Sequence, residues 1–474
     1  MASSTLAEEA TRRPPILDDP FLWLEEIEGK RALEWVEQRN GETLAELQAD
    51  KRYEPFLARA ESLLNATDRI PYGSIRGRHI YNFWRDAEHV RGILRRTTLE
   101  SYRKAKPEWE TVLDVDALAK AENENWVYKS IAWLAPGYEL CLVKLSRGGT
   151  DASVHREFDT LTKRFVERGF VLPEAKSGVA WLDRDTLFVG TNWSEGSLTE
   201  SGYPRIAKRW KRGTPLAKAE TIFEGREEDI GIWPRVLDSG ETTLPMIDQS
   251  LTFYTGAYHF IGDDGKLQRL PVPESADLAG FYAGRILFTL RDAWEVAGET
   301  FPQGALLAID AAVFQATGEL PRVEMIYTPD DRTSIEGVTV SRSGLYVSLL
   351  QNVKGRILRF GVDAKSGKWN AEPLPLPDNG TVSLSAANPH SGTVLVNYED
   401  HITPDQLSEY DDGANALTRL KSLPPRFRAD GLQVSQHTVR SADGEAVPYF
   451  VIHRKGLKLD GSTPTILYGY GGFE

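Results

Sequence analysis

Apolar and polar positions follow two different periods along this chain, and the change near Pro71 divides it. Before that point the apolar residues fall at helical spacing. They run from Trp23, Leu24 and Ile27 through Leu33, Trp35 and Val36 to Leu44, Leu47, Phe56, Leu57, Ala60, Leu63 and Leu64. Asp18 and Asp19 can cap such a helix, and Pro20 suits its first turn. From Tyr72 to about Phe427 no long amphipathic helix is legible. Short apolar or alternating runs replace it, at 79–84, 126–134, 139–145, 179–181, 187–189, 285–289, 345–350, 357–362 and 393–398. The residues between them are rich in Gly, Asp, Asn, Ser and Pro, the pattern of strands joined by tight turns. A third region begins near Ala429. Leu432 to Arg440 and Val447 to His453 read as two strands around the hairpin signal Asp443-Gly444. After a polar linker from Lys455 to Pro464, the residues Thr465, Ile466, Leu467 and Tyr468 predict a short buried strand that leads into a glycine-rich turn. Neither the helices nor this last piece has a core of its own. The two ends are therefore expected to pack together, with the β array inserted between them.

The β array carries a weak repeat. Ala132-Trp133-Leu134 recurs as Ala180-Trp181-Leu182, each followed by a turn and an apolar strand, and Gly344-Leu345-Tyr346-Val347 resembles that strand start. Propeller blades repeat at about 40–50 residues, and the array has room for about seven of them. The residues alone leave a propeller, a large sandwich and a two-domain β structure open. Trp133 and Trp181 read as blade core.

Length and charge narrow the rest. A chain of 474 residues exceeds what one core of about 250–300 residues supports. A net charge of -13 disfavours nucleic acid and anionic membrane as partners. The lone Cys141 permits no intrachain disulfide and, placed in an alternating strand, reads as a buried structural thiol. The first residues lack the apolar core of a signal peptide, and no run reaches the length of a membrane helix. A cytoplasmic protein is the expectation. His79, His89, His155, His259, His390, His401 and His437 are scattered, with no HExxH or other zinc spacing. His453, on a strand with no placed acidic partner, reads as structural or surface.

The candidate chemistry lies in the last seven residues, Tyr468-Gly469-Tyr470-Gly471-Gly472-Phe473-Glu474. A glycine-rich turn directly after an apolar strand is where an α/β-hydrolase builds half of its oxyanion hole. Three stretches, in order, resemble the prolyl oligopeptidase family of serine peptidases. They are Asp18 to Glu25; Tyr81 to Arg85 with Arg91, Gly92 and Arg95 to Thr98; and Ser441 to Phe473, which includes Val447-Pro448, His453 to Gly456 and Leu467 to Phe473.

The resemblance implies a mainly β chain, a seven-bladed β-propeller inserted into an α/β-hydrolase domain that is incomplete here. The expected domains are a helical segment at 1–71, the propeller at 72–428 and the first hydrolase strands at 429–474. It implies cleavage of oligopeptide substrates on the carboxyl side of proline, with the propeller restricting size, and it implies no metal or other cofactor. By the same match Tyr470 takes the place of the family's oxyanion tyrosine. Gly471 and Gly472 let the backbone approach substrate, and Phe473 lines the proline pocket. The sequence departs from the family in one decisive respect. No G-x-S-x-G pattern occurs, and Gly73-Ser74 and Gly196-Ser197 fall in the β array or its turns. The Ser-Asp-His triad is therefore absent from these residues, and the chain alone is expected to be inactive. A non-catalytic propeller that binds peptides or a partner protein is the alternative; a hydrolase half supplied by a second chain is another. Against the binding module stands the strand at 465–468, which would leave an apolar open edge.

Overall fold

The computed structural model describes residues 19–262, 265–363 and 365–470. The chain divides into two compact units, one up to Thr67 and one from Asp68 onward.

The first unit is helical. A 3-10 turn, Leu22–Glu25, precedes α1 (Lys30–Ala49) and α2 (Tyr53–Leu64). The helix signal at Asp19-Pro20 starts only that short turn, where Asp19 accepts a hydrogen bond from the Phe21 amide. Gly29 is extended and sits at the true start of α1. The helical spacing read from the sequence puts apolar residues on both helices, yet Leu33, Trp35, Val36, Leu44, Leu47, Phe56, Leu57, Leu63 and Leu64 are all exposed.

The second unit is built from seven antiparallel sheets of four or five strands, occupying 74–114, 126–175, 178–224, 231–269, 276–327, 333–373 and 381–422. These are the seven blades of a β-propeller. Their first strands are Ser74–Arg76, Trp126–Trp133, Gly178–Asp183, Gly231–Asp238, Ala276–Tyr282, Thr333–Ser341 and Thr381–Asn388. First strands lie side by side from blade two through blade seven and on to blade one, so they form the inner ring around a central channel.

Each blade has two buried faces because it is sandwiched between neighbours, and one apolar cluster fills each interface. Tyr81 and Leu94 meet Cys141 and Val143 between blades one and two. Leu142 and Leu172 meet Trp181 and Leu187 between two and three. Ala207 meets Ile232 and Ile247 between three and four. The series continues with Met246 and Phe260 against Ile286 and Phe288, Leu287 and Leu306 against Leu345 and Val347, and Tyr346 and Ile357 against Val394 and Val396. It closes with Ile75 and Ile80 of blade one against Leu395 and Leu407 of blade seven. Alternation explains the arrangement: along one strand of blade two, Cys141 and Val143 face blade one while Leu142 faces blade three.

No strand is shared between blades one and seven among the described residues, so side chains close the ring. Beyond the apolar cluster, Arg103 makes a paired contact with Glu409 at 2.8 and 2.6 Å. Lys421 donates to the carbonyl oxygens of Tyr102 and Lys104, both at 2.6 Å. The Tyr72 hydroxyl donates to Asn397 Oδ1 at 2.7 Å.

Three short helices interrupt the blades: α3 (Leu99–Arg103), α4 (Val115–Glu122) and α5 (Ala311–Thr317). Each starts at a side-chain cap, Thr98, Asp114 and Asp310 respectively, whose oxygen accepts from an amide three residues on. After blade seven the chain forms the two-stranded hairpin Leu432–Arg440 and Ala446–Arg454 around Asp443-Gly444.

Candidate functional site

Two places in the second unit are candidates for chemistry. The first is the C-terminal segment. Its hairpin rests on the propeller: Gln436 Nε2 donates to the Asn352 carbonyl at 2.7 Å, Arg332 donates to the Ala446 carbonyl at 3.3 Å, and Phe450 lies 5.1 Å from the His401 ring. Asn352 and His401 belong to turns between second and third strands, which identifies the channel end the hairpin faces. His453 bonds within the hairpin, to Gln433 at 3.0 Å and to the Arg454 carbonyl at 2.9 Å, which uses both ring nitrogens locally.

Beyond Leu457 the segment leaves the propeller. Thr465 to Tyr468, expected as a buried strand, pair with nothing among the described residues, and Ile466 and Leu467 are 94% and 97% exposed. The physical reason is that a strand exists only through its neighbours' hydrogen bonds. Tyr470 is 88% exposed, and the space around Gly469 is open. Among the described residues, no second functional side chain is bonded to Tyr470. Gly471, Gly472 and Phe473 lie outside the described residues.

The second place is the channel end opposite the hairpin, where the first strands of the blades terminate. A cavity of about 690 Å³ opens there. Both copies of the repeated tripeptide line it: Trp133 and Leu134 close the first strand of blade two, Trp181 and Leu182 that of blade three. The Trp181 indole donates to the Ala132 carbonyl at 3.0 Å, tying the copies together. Asp238, Glu241 and His390 supply the polar part of the wall. His390 Nε2 lies 2.7 Å from Asp238 Oδ2, a hydrogen bond that joins the loop after the first strand of blade seven to the end of the first strand of blade four. Asp238 Oδ1 accepts from the Gly240 amide at 2.7 Å, and Asn388 Oδ1 from the His390 amide at 2.8 Å. Asn388, itself buried, donates to the Ile75 carbonyl of blade one and bonds the Tyr138 hydroxyl of blade two, both at 2.9 Å. Sequence reading missed this cluster; the repeated Ala-Trp-Leu was its only local mark.

The remaining titratable groups of note are interior. Burial pushes the Cys141 thiol up, with Glu157 and Asp159 adding to the effect. The group packs as an apolar residue 3.6 Å from the Phe158 carbonyl, matching its reading as a structural thiol. Burial first, and Lys144 second, push His155 down to about 3. Burial, then Arg269, push His259 down to about 4. No group of three or more metal-ligating side chains suited to a metal ion occurs among the described residues.

Comparison with known proteins places this architecture. The family model for the prolyl oligopeptidase N-terminal beta-propeller domain matches residues 7–244. An uncharacterized peptidase of Sinorhizobium fredii is 40% identical over 469 residues, spanning 96% of this chain and 64% of that protein. A prolyl endopeptidase of Elizabethkingia miricola is 24% identical, spanning 97% of this chain and 62% of that protein. Among solved structures, a post-proline cleaving enzyme from Rickettsia typhi superposes with a TM-score of 0.85 at 27% identity, covering 93% of this chain and 66% of that one. The chain thus spans less than two thirds of the length of the curated relatives it matches.

Proposed function

Because the chain belongs to the prolyl oligopeptidase family, we propose that the whole protein is a serine-type oligopeptidase that hydrolyses short peptides on the carboxyl side of proline, its propeller limiting substrate size. The observation that carries this reading is the Tyr470-Gly471-Gly472-Phe473 motif. It follows a propeller whose seven blades are complete, in a relative of enzymes described as prolyl endopeptidases. Attack on a peptide carbonyl places negative charge on its oxygen, and a phenol O–H with a neighbouring backbone N–H can stabilise that charge. Tyr470 supplies the phenol. Gly471 and Gly472 allow the close backbone approach, and Phe473 offers an aromatic face to the proline ring.

The nucleophile, its base and the acid come from residues other than these 474, so this chain alone does not turn over. The exposure of Ile466 and Leu467 supports the reading, because consecutive large apolar side chains are what a strand buried on both faces would require.

The test compares this chain with the longest product of its gene on chromogenic peptides ending in Pro or in Arg. The longer product is expected to cleave after proline, and this chain to cleave neither. Cleavage by this chain at a comparable rate, or preference for arginine, would overturn the proposal.

A further inference from the structure

We infer that Asp238, Gly240 and His390 form a clasp that straps across the end of the channel opposite the hairpin and bars the passage of a peptide there, so that peptide reaches the interior from the hairpin end. The clasp is thereby the far wall that fixes the upper length of peptide admitted. The size-limiting role rests on the oligopeptidase reading; the closure itself rests on geometry.

The contact is not a by-product of blade packing. Blades four and seven are not neighbours, and every adjacent pair already has its own apolar cluster. The bond from His390 to Asp238 crosses the ring at 2.7 Å. Both of its ends are fixed beforehand. Asp238 spends its other oxygen on the Gly240 amide. His390 is held by Asn388, which is anchored to blades one and two through Ile75 and Tyr138. The Tyr138 ring meets the His390 ring edge-on at 6.2 Å.

The two loops also touch as backbones. Gly240 has φ +87, and a Cβ built on it would lie 2.3 Å from the Pro389 carbonyl oxygen. Only glycine fits there, and the two loops leave no gap between them for a peptide, whose extended chain is nearly 5 Å thick even in its narrow direction. The strap divides the channel mouth in two. Gly240, Glu241 and His390 line both the 690 Å³ cavity and a second one of about 320 Å³ bounded by Tyr282, Ser341 and Arg342. Releasing the strap would join them into one opening.

Two measurements test the inference. Hydrogen exchange on this chain reads the closure directly. His390→Ala should speed exchange of the amides at 238–242 and of residues 388, 390 and 391 by about five- to tenfold, the scale of one lost hydrogen bond, without changing the strands around Leu287 and Leu345. His390→Gln, which can still donate to Asp238, should keep the wild-type rate. Equal exchange in all three proteins overturns the clasp. A ladder of proline-containing peptides of increasing length, given to the longest gene product, reads the wall. In His390→Ala the longest peptide cleaved should grow while kcat/KM on a short chromogenic substrate stays the same. An unchanged limit, with exchange showing the clasp open, overturns the size role. If the wild-type product cleaves no proline substrate of any length, the proposed function fails, and the exchange result alone decides the clasp.

Discussion

The propeller body and the segment that follows its hairpin use the same apolar residue types in opposite ways. Leu287, Leu306 and Leu345 are fully buried between blades five and six, while Ile466 and Leu467 are almost fully exposed. A blade finds both partners inside its own unit, because the ring returns to its start at Ile75 and Leu395. The terminal segment has apolar faces and no such return. The difference separates apolar surface that the propeller covers by itself from apolar surface that the terminal segment leaves open.

Cutting into the propeller tests the first half of that statement. Leu287→Ala should lower unfolding stability by about 2–5 kcal/mol, the cost of a cavity in a packed interface. Denaturant unfolding measures it. A loss under about 1 kcal/mol would mean that the blade interface is loose and that the contrast with the terminal segment is overdrawn.

Tyr470→Phe asks the complementary question. It should leave the stability of this chain unchanged, since the side chain is 88% exposed. In the longest gene product it should lower kcat on a proline substrate roughly 100-fold, on the order of 3 kcal/mol of barrier, with little change in KM. An unchanged kcat would remove Tyr470 from the oxyanion site and reduce the segment to packing.

Acid tests how well the propeller is sealed. His155 is buried, its Nδ1 has no hydrogen-bond partner among the described residues, and its pKa is pushed down to about 3 from an ordinary 6.5. In the unfolded chain it takes a proton below pH 6.5, whereas in the fold it stays neutral until near pH 3. The unfolded state thus binds more protons throughout that window, and stability falls as pH is lowered through it. Between pH 6.5 and 5 the loss should be about 2 kcal/mol at roughly 1.4 kcal/mol per unit, with His259 adding to it. The contribution is fully present above pH 6.5. Carboxylates held down near 2, such as Glu110 against Arg96 and Lys163, begin to act only at lower pH, below their ordinary 4.5. His155→Gln should flatten the limb; equal stability of the wild type at pH 6.5 and 5 would show that water reaches the blade interior.

The strands and turns of the propeller were readable because each blade repeats a local code. Alternating runs such as 345–350 lie between turn residues, and Ala-Trp-Leu marks the same position in blades two and three. The short helices α3, α4 and α5 were not readable, because eight residues or fewer give too few turns for a period to show. Their caps, Thr98, Asp114 and Asp310, are common residues in any loop. The strand expected at 465–468 was inferred from apolar content alone, which signals a need for burial but cannot supply the neighbour. The clasp left no mark, because Asp238 and His390 are 152 positions apart and meet only once the ring has formed. The reading of Tyr470 rests on its glycine-rich setting and on the family's motif, not on any geometry of its own.

The smallest expected effect sharpens the comparison most. Leu467→Ala in this chain should change unfolding stability by less than about 0.5 kcal/mol, because a side chain 97% exposed loses no contacts on truncation. The same substitution in the longest gene product should cost about 2–5 kcal/mol if the residue there becomes the centre of a sheet. The pair of measurements separates two causes of an exposed leucine. A small effect in both proteins would make Leu467 a surface residue and leave the Tyr-Gly-Gly-Phe turn without a strand behind it. A large effect in both would mean that the segment already packs in the shorter chain. Only a small effect in one and a large effect in the other fits a strand whose partners are supplied by the rest of the protein, and that outcome would place Tyr470 at the end of a rigid element, where an oxyanion donor must be.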